Sequence, residues 1–139
     1  MITFDIIDLN YFIEIKKLLS QLTQVGNINI NSFKKFLDNL PSNHIIYVIL
    51  YENNIAGMGT ILIENKIIHN FGKVGHIEDV VIDKKFRGLG LGKELIKFLV
   101  NKGKKLGCYK IILDCNDKNV GFYNKCGFKR EENTMTLRF

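Results

Sequence analysis

Apolar and polar positions follow two different periods along the chain, and the switches between them mark the elements. ITFDII at the start alternates loosely and predicts a short first strand. From Asn10 to Leu22, apolar residues recur at Tyr11, Ile15, Leu18, Leu19 and Leu22, the spacing of one helical face. Gly26 and the NINI stretch interrupt it. Phe33, Phe36, Leu37 and Leu40 then set up a second helix, which Asn31 or Ser32 is placed to cap and Pro41 to stop. HIIYVILY (44–51) and IAGMGTILIE (55–64) are rich in β-branched residues and predict a hairpin across Glu52-Asn53-Asn54. GHIEDVVID (75–83) is a further strand, apolar around a central acidic pair.

The helical period returns in KELIKFLVNKGKKL (93–106), with Leu95, Ile96, Leu99, Val100 and Leu106 on the buried side and an unfavourable Gly103 inside. YKIILD (109–114) reads as a short buried strand, NVGFYNKCGF (119–128) as a short helix ending at Gly127, and TMTLRF as a final strand. The order is βαα, a run of strands, then αβαβ. That predicts an α/β chain with a mixed sheet and helices packed on it. No repeat or linker divides it, so residues 1–139 are expected to form one domain.

Composition bounds this picture. With 46% hydrophobic residues in 139, the chain can bury a real core and is not disordered. No apolar run approaches the roughly 18 residues of a membrane helix. The opening stretch carries Asp5 and Asp8 without a basic segment, unlike a secretion signal. Cys108, Cys115 and Cys126 are odd in number and form no CxxC pair, which favours reduced thiols in a cytoplasmic protein and no metal site. Cys115 and Cys126, in or beside apolar runs, read as packing residues.

The net charge of +6 invites a nucleic-acid reading, but 17 of the 20 basic residues are lysine, alongside 20 Ile and 15 Asn. Such joint enrichment points to coding bias as readily as to function. Between Lys84 and Lys110, nine basic residues face only Glu94, so a local anionic ligand fits. A polynucleotide would call for interleaved aromatics or an arginine stripe. Both are missing.

RGLGLGKEL (87–95) carries the most chemistry. A P-loop needs GxxxxGK followed by Ser or Thr, whereas Glu94 follows Lys93 and Arg87 stands five before Gly92. A Rossmann turn needs GxGxxG, and Gly88, Gly90 and Gly92 have the wrong final spacing. What remains is Arg87-x-x-Gly90-x-Gly92 opening a helix after a strand, a place where exposed N–H groups hold a diphosphate and Lys93 adds charge. A tight connection that needs glycines for geometry alone is the plain alternative.

R-x-x-G-x-G in that setting resembles the coenzyme A loop of the GNAT superfamily of N-acetyltransferases. GHIEDVVID, GCYKIILDC and NVGFYNKCGF sharpen the resemblance to the members that acetylate amino-sugar phosphates. It implies a GNAT fold and transfer of acetyl from acetyl-CoA to the amine of D-glucosamine 6-phosphate, with no metal. Another acyltransferase of the superfamily, acting on a protein or other small amine, is one alternative. A non-catalytic basic or coenzyme-binding module is another.

By this resemblance Val80, Val81 and Ile82, the loop from Arg87 through Gly88, Leu89, Gly90, Leu91 and Gly92 to Lys93, together with Asp114 and Tyr123, hold the cofactor. Asp79 positions the amine or receives its proton, with Glu78 and Asp114 as further catalytic candidates. Tyr123 serves the departing sulfur. Thr23, Lys66, Ile67, Ile68, His69, Glu78, Asp79, Tyr109, Lys110 and Arg138 are implied at the sugar phosphate. Strand alternation places Glu78 and Asp79 on opposite sides, which argues against a shared-proton dyad. Residue by residue, each acid also reads as a lysine partner or backbone cap, Tyr123 as a core tyrosine, Arg138 as surface and His69 as a loop histidine. The resemblance further implies a homodimer whose last strand reaches the partner's site. The link from Pro41 to His44 is shorter here than in larger members.

Overall fold

The computed structural model describes residues 1–139. Five strands, β1 (Ile2–Ile6), β2 (His44–Tyr51), β3 (Asn54–Asn65), β4 (Lys73–Ile82) and β5 (Cys108–Ile112), form one sheet in that order. β1 to β4 are antiparallel neighbours and β5 runs parallel to β4. Five helical elements accompany them: α1 (Phe12–Ser20), α2 (Ile30–Asp38), the single turn α3 (Ile68–Phe71), α4 (Leu91–Lys105) and α5 (Val120–Lys125). This is the α/β mixed sheet that the two periods predict.

Both faces of the sheet are covered, which explains why β2 is apolar almost throughout. Its Ile46 and Val48 join Ile15, Leu18 and Phe33 of α1 and α2. Its Tyr47 and Ile49 join Leu91, Leu95, Ile96 and Leu99 of α4. Each of these leucines is at most 1% exposed, and full burial of such a side chain contributes about 1.5–3 kcal/mol. Gly103 in α4 has a packing reason: a Cβ there would lie 2.4 Å from Cδ1 of Ile111. The small residue lets α4 approach β5, offsetting a helix-propensity cost of about 1 kcal/mol.

Two expectations need correction. The cap of α2 is Asn29, whose side chain accepts from Ser32 N at 2.9 Å while Ser32 Oγ accepts from Asn29 N at 3.0 Å. This reciprocal box satisfies two donors together, more than Asn31 or Ser32 achieves alone. TMTLRF forms no strand, and residues 129–139 carry no strand at all. Met135 and Leu137 are 93% and 80% exposed. A strand's hydrogen bonds lie in its neighbour, and no strand of this chain lies beside the tail.

Candidate active site

The site begins where β4 loses regularity. Thr60 pairs with Glu78 but Met58 with Val81, so β4 carries one residue more than β3 over this stretch. Asp79 absorbs the excess at φ +51°, a left-handed conformation seldom held outside glycine. On the other side, pairing with β5 ends at His76 and Ile112. Beyond that point the two strands part, and β4 has no ladder on its β5 side.

A cavity of about 510 Å³ lies in the gap. Ile77 to Val80 line it from β4 and Leu113 to Asn116 from the segment after β5. Asn119 and Tyr123 come from the α5 end, Leu22 and Thr23 from the turn after α1, and Thr134 from the tail. Glu78 and Asp79 both line this cavity across the bulge, where Asp114 joins them. Glu78 has its carboxyl pushed above the usual range, first by partial burial and then by the charges of Asp114 and Asp79, with His76 opposing. Thr134 Oγ1 donates to Asp114 Oδ1 at 2.8 Å. No lysine or arginine lines the cavity.

Tyr123 is set by the end of α5. Gly127 N donates to Asn124 O and Phe128 N to Tyr123 O, both at 3.0 Å, which folds the chain back. Phe122 and Phe128 then meet the Tyr123 ring edge-on at 5.0 and 6.0 Å. Burial raises the phenol's pKa, so it keeps its proton near neutrality.

The glycine loop stands between β4 and α4. Gly88 and Gly90 adopt φ of +83° and +77°, which side chains resist. Gly90 caps α4 without a side-chain partner, leaving first-turn N–H groups open to an anion. Gly92 serves packing instead, since a Cβ there would sit 3.3 Å from Cζ of Phe122. Arg87 Nε donates to Ile82 O at 3.1 Å and ties the loop to the end of β4. The side chains of Val81 and Leu91 are buried in the core, so these two offer a ligand only backbone. Ile82 is half-buried, whereas Leu89 and Lys93 are exposed.

The remaining expected residues are elsewhere. Lys66, Ile67, Ile68 and His69 belong to the connection before β4, and Tyr109 and Lys110 to the start of β5. From Lys73 to Asp79, β4 spans about 20 Å, so this group is far from the carboxylates. Glu64 Oε2 pairs with Lys66 Nζ and Glu64 Oε1 with His76 Nε2, each at 2.9 Å. Lys66, then His76, hold the Glu64 carboxyl below its usual range, and Glu64 holds the Lys66 ammonium above its own. His69 lies on Tyr109 with ring centres 4.2 Å apart. His69, Asn70 and Phe71 are all left-handed, at φ 52°, 56° and 58°. Arg138 is exposed in the tail.

Several lining residues escape the sequence reading. Asn116 and Asn119 are lost among 15 asparagines; their position just past a parallel strand is the one signal available. Cys115 is not a packing residue: β5 ends at Ile112, and the exposed thiol lines the cavity. No three His, Cys, Asp or Glu side chains stand together as a metal site. No helix is long and apolar enough to cross a membrane.

A model of the acetyltransferase (GNAT) family matches residues 14–128. The chain belongs to that family. The GNAT relatives include the glucosamine 6-phosphate N-acetyltransferase of Arabidopsis thaliana, 44% identical over 128 residues, which cover 88% of this chain and 86% of that one. The Candida albicans enzyme of the same name is 37% identical over 131 residues, 94% of this chain and 88% of its own. The crystal structure of the Arabidopsis enzyme matches with a TM-score of 0.91 at 39% identity, over 100% of this chain and 99% of that one. This GNAT chain is therefore an acyltransferase with acetyl-CoA as its donor, not a non-catalytic module. The open α4 terminus, Gly88, Gly90 and Lys93 fit the diphosphate of such a donor.

Proposed function

We propose that this chain transfers acetyl from acetyl-CoA to the amine of D-glucosamine 6-phosphate, as one cytoplasmic acetyltransferase domain over residues 1–139. The observation that carries the reading is three carboxylates around one cleft beside an uncapped helix N-terminus. Backbone N–H groups from Gly88 to Lys93 hold the diphosphate, and Arg87 and Lys93 add charge. The open side of β4 from Val80 to Ile82 receives the thioester arm and polarises its carbonyl. Asp79 and Asp114 hold the ammonium, and Glu78, made more basic, takes its proton. The amine then attacks the thioester carbon directly, the carbon–sulfur bond breaks, Tyr123 gives its proton to the departing sulfur, and the second proton shed by the nitrogen passes through solvent to restore the phenol. The donors and acids of this chain suffice without a covalent enzyme intermediate.

A phosphate needs cations, and the cleft's own lining has none. Thr23 stands at the cleft, but Lys66, His69, Tyr109, Lys110 and Arg138 stand away from it. A homodimer reconciles the two groups. The alternating tail, with Met135, Leu137 and Phe139 exposed, pairs with a partner, and each cleft is completed by the partner's cations. Ile67 and Ile68, 83% and 61% exposed, give that contact an apolar margin.

The test is thiol release from acetyl-CoA with a panel of amines. Turnover is expected with glucosamine 6-phosphate, with much weaker rates for unphosphorylated glucosamine and for lysine peptides. Turnover with a peptide but none with the sugar phosphate would discard the acceptor assignment.

A further inference from the structure

Gln21 joins two parts of the site that act on different ligands. It caps the C-terminus of α1, and the next two residues, Leu22 and Thr23, line the cavity. Its side-chain Oε1 accepts from the backbone N–H of Lys84 at 3.0 Å, across 63 residues of chain. Lys84 opens the 3-10 turn Lys84–Phe86, which Arg87 ends before the loop glycines. The turn's other hydrogen bonds are local, Lys85 N donating to Asp83 Oδ1 at 2.9 Å and Arg87 Nε to Ile82 O at 3.1 Å, while Phe86 packs edge-on against Tyr51 at 5.9 Å. The first N–H of a helical turn has no partner inside it. Gln21 supplies that partner and thereby fixes the loop entry against the end of α1.

We propose that Gln21 is a positioning residue coupling the glycine loop to the acceptor side of the cleft. An anion seated on the loop steadies the Lys84 turn, and through Gln21 it steadies Leu22 and Thr23 before the amine arrives. This rests on the cofactor half of the reading above and not on the identity of the acceptor. Leu22 N and Thr23 N both donate to Leu19 O, at 2.9 and 3.0 Å, so their hydrogen exchange reports the opening of this turn. One neutral hydrogen bond corresponds to about a fivefold effect.

The experiment measures exchange in the full chain with and without CoA. CoA is expected to slow amides 88–93 and 22–25 in the wild type and in Gln21→Glu, which keeps an acceptor oxygen. In Gln21→Met the slowing at 88–93 persists, while that at 22–25 shrinks about fivefold. Full slowing at 22–25 in Gln21→Met, or none there in the wild type, overturns the proposal. Absence of slowing at 88–93 in the wild type overturns the cofactor reading, and the proposal with it. In turnover, Gln21→Met is expected to raise the acceptor KM about fivefold with kcat within about twofold; an unchanged KM overturns the coupling.

Discussion

Apart from the hairpin turn at Glu52 and Asn53, two regions of this acetyltransferase hold non-glycine residues in the left-handed conformation, and they use it differently. In the cleft, Asp79 alone is strained, within a strand whose neighbours on β3 and in the core hold it firmly. At the far end of β4, His69, Asn70 and Phe71 are strained in succession, in an exposed turn closed by Lys66 N on Gly72 O at 2.8 Å and by the His69–Tyr109 stack. Such residues cost about 1–3 kcal/mol each and persist only where their surroundings over-determine them. In the cleft the strain shifts the register on the β3 side, next to the gap where β4 and β5 part. At the turn it breaks nothing, and it presents Ile67, His69 and Phe71 outward. The first region gathers its three carboxylates within one chain, whereas the second leaves Ile67, Ile68 and Phe71 exposed.

The comparison breaks most sharply at Glu78. Glu78→Gln is expected to lower kcat about 100-fold while acetyl-CoA affinity stays within about twofold. The pH–rate profile gives the sign. A carboxyl with a raised pKa takes up its proton at higher pH, so activity falls on acidification through a value above the ordinary glutamate range, and Gln abolishes that limb. A limb that survives in Glu78→Gln would assign the base elsewhere.

The far turn gives a smaller effect of a different kind. Lys66→Ala is expected to raise the KM for glucosamine 6-phosphate about 10-fold, as loss of one charge-assisted phosphate contact does. If clefts are completed across a dimer, mixing Lys66→Ala with Glu78→Gln restores about a quarter of wild-type activity under random pairing, assayed at sugar phosphate well below KM. Activity equal to the mean of the two unmixed variants would confine each site to one chain. The smallest change is expected from Tyr123→Phe, about fivefold in kcat with acetyl-CoA affinity unchanged, because a thiolate leaves tolerably without an acid. An unaltered kcat would remove Tyr123 from the proton path.

Most of the fold was legible because its signals are local. Hydrophobic period sets α1, α4 and the β2–β3 hairpin, and glycine spacing sets the anion loop. What could not be read locally was relational. The extra residue in β4 shows only against its β3 partner, so alternation alone does not reveal that Glu78 and Asp79 both border the cleft. The strand pattern of TMTLRF is genuine, but whether a strand forms depends on a neighbour that periodicity does not describe. Capping went to Asn29 because the decisive contact is reciprocal with Ser32. The cavity's asparagines and Cys115 were hidden because nothing in their immediate surroundings distinguishes a lining residue from a loop residue.

The surplus residue at Asp79 also makes the cleft easy to lose. Dropping a single codon there would leave Thr60 opposite Glu78 and Met58 opposite Val81 with equal spacing on both strands. The shortened chain would have a more regular β-ladder and every incentive to fold. A screen that scores only expression and solubility would keep that lineage, although its cleft had lost one of its three carboxylates. Persistence of the bulge through descent therefore depends on selection for turnover, with folding alone favouring its disappearance.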